Sequence, residues 1–140
     1  MKTLTLIIKQ HWFDKIMSGE KTIEYREVTP NNCKKLIEID DEGFIIEPDA
    51  SVKDEEGMQK PAIPKKYDAI RFYVGYNKDR DSALVEVKDV DCYAIKDEDG
   101  NFIFEGDPKG TDFWVYTMVK YYLGKIIEKK HNHRAVSPNG

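Results

Sequence analysis

The sequence predicts an α+β domain: a β-barrel with two short helices in its N-terminal half and an acidic insertion. Three observations predict it. Several segments alternate apolar and polar residues with a period of two; two short segments near the start have helical spacing and helix-end signals; no strand–helix–strand unit repeats along the chain. At 140 residues the chain fits one domain, residues 1–130, with residues 131–140 as a flexible tail.

The first strand covers residues 3–9, where Leu4, Leu6 and Ile8 share one face and Thr3, Thr5, Ile7 and Lys9 the other. His11 to Ser18 reads as a short helix, because Trp12 and Ile16, and Phe13 and Met17, stand four apart and Gly19 supplies a stop. Thr22 to Val28 alternates again, with Ile23 and Tyr25 set against Thr22, Glu24 and Arg26. Thr29-Pro30 then offers an N-cap followed by proline at the first helical position, predicting a second short helix from Pro30 to Glu38. From about 40 to 65 the chain is acidic and broken by Gly43, Pro48, Gly57, Pro61 and Pro64, which predicts an insertion with one short strand at Phe44–Glu47.

Tyr67 to Tyr76 returns to strand character, with Ile70, Phe72 and Val74 inward and Arg71 and Tyr73 outward, and Ser82 to Val90 reads as its hairpin neighbour. Asp97-Glu98-Asp99-Gly100 predicts a tight turn between Cys92–Lys96 and Phe102–Glu105. Phe113 to Glu128 reads as strand, because Val115, Thr117, Val119, Ile126 and Ile127 are β-branched and Gly124 would weaken a helix by about 1 kcal/mol.

Composition narrows the function. Hydrophobic residues are 40% and charged residues 34% of the chain, a globular balance. The net charge of -4 argues against coating nucleic acid by bulk electrostatics, so any nucleic-acid site must be local. The opening MKTLTLII is too short and too interrupted for a signal peptide, and no stretch approaches the roughly 20 apolar residues of a membrane span. Cys33 and Cys92 lack a zinc or redox spacing, which predicts free thiols in a reducing cytoplasm.

The segment that can carry chemistry is Gly19-Glu20-Lys21-Thr22-Ile23-Glu24-Tyr25-Arg26. At about 3.3 Å per residue, Glu24 and Arg26 lie roughly 7 Å apart on one strand face, within reach of each other or of a shared ligand. Lys21 sits at the turn before them. Lysine and arginine neutralise phosphate, a carboxylate accepts a base's amino protons, and neighbouring aromatics stack on bases. By charge pattern alone, a solvated ion pair worth about 0–1 kcal/mol is the better reading of Glu24 and Arg26, and Tyr25 reads as core.

The run GEKTIEYR resembles the G-x-K-x-x-E-x-R signature of the ASCH domain family, within the PUA-like superfamily. LTLIIKQHWFDKIMSGEK is similar to that family's first strand and helix, EVTPNNCKKL to its next helix, YDAIRFYVGY to its central strand and YYLGKIIE to its closing strand. The resemblance covers most of residues 1–130 outside the insertion. It implies a PUA-like barrel with a cleft that binds RNA or a nucleotide-sized ligand. Lys9, Trp12, Lys21, Glu24, Arg26, Arg71 and Tyr73 are then the candidate ligand-binding residues.

Whether the protein is an enzyme stays open at this point. A hydrolase acting on a modified nucleoside or single-stranded RNA would use Lys21 and Glu24 as an acid–base pair. The family's amidohydrolase branch carries threonine three residues after the signature lysine, where this chain has Glu24. A third reading gives the acidic insertion a protein-binding role. No cofactor and no metal are expected: His131-Asn132-His133 reads as tail, and Asp40-Asp41-Glu42 and Asp54-Glu55-Glu56 lack the alternating oxygens of a calcium loop.

Overall fold

The computed structural model of the chain describes residues 1–130. It is mixed α and β, with a multi-stranded sheet and two short helices. The elements in order are β1 (Thr3–Ile8), α1 (Gln10–Ser18), β2 (Ile23–Val28), α2 (Cys33–Leu36), β3 (Ala69–Val74), β4 (Ser82–Ala94), β5 (Phe104–Glu105), β6 (Trp114–Val115) and β7 (Thr117–Lys130). The chain divides into two compact units. One is built from Met1–Thr22, Tyr67–Lys88 and the segment that begins at Tyr122; the other from Ile23–Lys66 and Asp89–Tyr121.

In the first unit β1 lies parallel to β3, with Leu4 opposite Ile70 and Leu6 opposite Phe72. β3 lies antiparallel to β4, with Ile70 opposite Val85 and Phe72 opposite Ala83. Alternation puts Leu4, Leu6 and Ile8 inside, as the period of two predicts, and Ile70, Phe72, Ala83 and Val85 complete the buried set. The parallel pair needs a long crossover, which the chain from Lys9 to Asp68 supplies. α1 packs on β3 and buries Phe13 and Ile16, while Trp12 stays exposed. Gly19 ends α1 in the left-handed region at φ 84°, donating its N–H to the Ile16 carbonyl.

In the second unit β7 lies between β4 and β2. Val28, Leu36, Ile37, Cys92, Val119 and Tyr121 are its buried residues of largest consequence. The segment expected as one strand over Phe113–Glu128 is strand apart from Phe113 and Tyr116, divided into β6 and β7. α2 is shorter than the predicted Pro30–Glu38. Residues 30–32 form a turn instead, because Asn32 turns its side chain back, accepting from the Thr29 N–H and donating to the Glu27 carbonyl.

The acidic insertion contains no strand at Phe44–Glu47; it is built from tight turns. Asp40 Oδ1 accepts the N–H groups of Glu42 and Phe44, and Asp54 Oδ1 those of Glu56 and Met58. Asp97 Oδ1, in the predicted turn, does the same for Asp99 and Asn101. Each of these three Asp-x-x-Gly turns ends on a glycine at φ between 80° and 90°, and each closes an antiparallel bridge: Ile39 to Ile45, Lys53 to Gln59, Lys96 to Phe102. The turns are one device used repeatedly, a carboxylate gathering two backbone donors around a glycine that alone tolerates the left-handed corner.

Candidate functional site

The signature run is divided between the two units at Thr22–Ile23. In the first unit the Lys21 ammonium lies 5.3 Å from the centre of the Trp12 indole. Trp12 is 46% exposed, and His11 meets its ring edge-on at 4.7 Å. Lys9 is exposed, and its carbonyl accepts the Trp12 and Phe13 N–H groups at the start of α1. Lys9, Trp12 and Lys21 thus belong to the two ends of one short helix. Arg71 is engaged elsewhere, donating at 2.7 Å to Glu128, and one face of Tyr73 is taken by the Arg80 guanidinium at 3.8 Å.

In the second unit Glu24 and Arg26 meet, as their same-face spacing predicts. Arg26 Nη2 and Nε donate at 2.9 and 3.2 Å to the same Glu24 oxygen, Oε2. The face they occupy is the reverse of the apolar expectation. Glu24 and Val28 are buried and Arg26 half-buried, while Tyr25 is 46% exposed, so Tyr25 is not core. A carboxylate tolerates that interior only with charge-assisted hydrogen bonds, and the i, i+2 guanidinium provides them.

A second constellation in the same unit escaped the sequence reading. Tyr25, Asp91, Tyr93 and Lys120 line a small cavity of about 170 Å³ with the turn residues Asp54, Glu55 and Glu56. Lys120 donates to Glu55 at 3.3 Å and sits 5.9 Å from the Tyr25 ring centre; Lys96 pairs with Glu56 at 3.6 Å. Asp91 ties the cavity floor together. Its Oδ1 meets Lys60 at 2.8 Å and accepts the Cys92 N–H, and its Oδ2 accepts the Glu55 N–H at 3.4 Å. Burial pushes the Tyr93 hydroxyl above the ordinary tyrosine range, with a smaller contribution from Tyr25, so it remains a donor at neutral pH. An open groove of about 1020 Å³ also runs through this unit, with Ile45, Phe102, Phe104, Phe113 and Trp114 among its walls.

Both cysteines are free; Cys33 is half-buried and Cys92 fully buried. Burial pushes the Cys92 thiol up from 9.0 to about 12, opposed by Lys60. A raised thiol stabilises the fold fully below pH 9 and loses that contribution as pH rises toward 12. Wild type is therefore expected to lose about 1 kcal/mol between pH 9 and 10 from this group, and Cys92→Ala to lack that part of the slope. Urea unfolding of both proteins across that range measures the difference; parallel curves would mean that the thiol ionises in place without cost.

Among the described residues no helix is long and apolar enough to cross a membrane. His131-Asn132-His133 and the expected tail lie outside the described residues. No protein-family model, curated protein or solved structure matches the chain.

Proposed function

We propose that the protein is a cytoplasmic binding domain of the ASCH type, with a PUA-like barrel, whose ligand is RNA or a nucleotide. The observation that carries this reading is Trp12, half-exposed on α1 with the Lys21 ammonium 5.3 Å from its ring centre. An exposed indole offers a stacking face worth about 1–3 kcal/mol per base, and an adjacent ammonium offers a phosphate contact. The Glu24–Arg26 pair lends separate support, since a buried carboxylate on a strand is an expensive feature to keep for solubility alone.

The test is the affinity of the purified protein for fluorescein-labelled single-stranded RNA and for nucleoside monophosphates. Trp12→Ala and Lys21→Ala are each expected to weaken binding about tenfold, ~1.4 kcal/mol, with the melting temperature unchanged. Lys21→Ala is also expected to flatten the salt dependence by about one counterion. Affinity that is indifferent to both substitutions in folded protein removes the reading. Product formation lost in Glu24→Gln, with affinity retained, would make the protein a hydrolase of the same ligand class.

A further inference from the structure

We propose that the face bearing Tyr25, Tyr93, Lys96 and Lys120 is a second anion site, one that takes a nucleoside phosphate, free or within a strand, and that the Asp54–Gly57 turn is its built-in competitor. Its residues all belong to the second unit and include neither Trp12 nor Lys21.

Lys120 and Lys96 expose 17% and 33% of their side chains, so their stems are held against the fold. Their partners are different in kind. The Glu55 and Glu56 side chains are 56% and 76% exposed, and the ion pairs span 3.3 and 3.6 Å. Pairs this open contribute little to stability, so the carboxylates leave at little cost. The turn is also tied to this face by the Glu55 N–H on Asp91, at 3.4 Å a long bond.

What the carboxylates cover has the chemistry of a nucleotide reader. Lys120 lines the cavity together with the Tyr93 hydroxyl, a donor, and Lys96 reaches its wall through Glu56, so an anion that displaces the carboxylates inherits their cationic partners. The half-exposed Tyr25 ring beside Lys120 supplies a stacking surface at the rim. About 170 Å³ is several times the roughly 30 Å³ share of one water, room for a phosphoryl group with the base left outside on Tyr25. Glu55 and Glu56 place carboxylate oxygens where phosphate oxygens would lie, so ligand and turn exclude one another.

The experiment uses the full chain and fluorescein-labelled oligouridylate, with unlabelled UMP and oligouridylate as competitors. Glu55→Gln with Glu56→Gln is expected to tighten binding at least fivefold, and adding Lys120→Ala to remove the gain. Asp41→Asn with Glu42→Gln makes the same charge change at a neighbouring turn and is expected to leave affinity within twofold of wild type. Equal tightening in that control, no tightening in the first double variant, or a gain that survives Lys120→Ala each overturns the proposal. Competition by UMP identifies a free nucleotide, competition by the strand alone a strand site, and competition by neither overturns it. Repeating the series with Trp12→Ala separates the two sites: if the Trp12–Lys21 reading fails, the fivefold gain still stands or falls alone.

Discussion

Phe72→Ala is expected to cost about 3–5 kcal/mol of unfolding free energy. Phe72 is fully buried on β3, opposite Ala83 of β4 on one side and Leu6 of β1 on the other. Removing the ring forfeits its transfer free energy and leaves a cavity that flanking strands, fixed by their hydrogen bonds, cannot collapse to fill. Ala83 opposite is too small to reach across. Phe72→Leu, which keeps most of the volume, should lose less than half as much. Urea unfolding followed by circular dichroism reads both. A shift below about 1 kcal/mol for the alanine variant would mean that the site is loosely packed and that β3 is not the centre of the first unit's core.

Lys60→Ala is expected to cost about 3 kcal/mol, because it strands the Asp91 carboxylate. The side chains expose only 17% and 9%, and the 2.8 Å contact is the carboxylate's charge partner, the other bonds being backbone N–H groups. A buried pair gains little over an apolar pair of the same shape, but breaking it on one side leaves an uncompensated charge. The double substitution Lys60→Met with Asp91→Leu is therefore expected to recover most of the loss. Chemical unfolding of the single and double variants decides it. If the single variant is as stable as wild type, water reaches Asp91 and the pair is a surface one. The same substitution frees the floor beneath Glu55, so binding at the Tyr25–Lys120 face is expected to respond too.

The strands were legible because a half-buried strand writes its geometry into consecutive residues. Leu4, Leu6 and Ile8 are buried as their alternation requires, and β-branched residues mark β7 as strand. The Glu24–Arg26 contact was legible for the same reason, since residues two apart on a strand share a face whatever surrounds them. Which face turned inward was not. Apolar bookkeeping put Ile23 and Tyr25 inside, and the fold buried Glu24 instead, satisfying its charge locally with Arg26. The Asp-x-x-Gly pattern is legible as a turn at Asp97, whereas at Asp40 and Asp54 acidic surroundings mask the same aspartate and glycine spacing.

The sequence by itself determined what short-range geometry controls: the strands, the ends of α1, the tight turns, the meeting of Glu24 with Arg26. Tertiary structure alone decided the partners of Arg71, Lys60 and Lys120, which are Glu128, Asp91 and Glu55, separated by tens of residues. It also decided that β1 runs parallel to β3 and that an acidic turn sits over the Tyr25–Lys120 cavity. The physical reason is that backbone dihedrals and neighbouring side chains fix local structure at each residue, whereas distant pairs form only when the register of whole strands and the burial of the core bring them together.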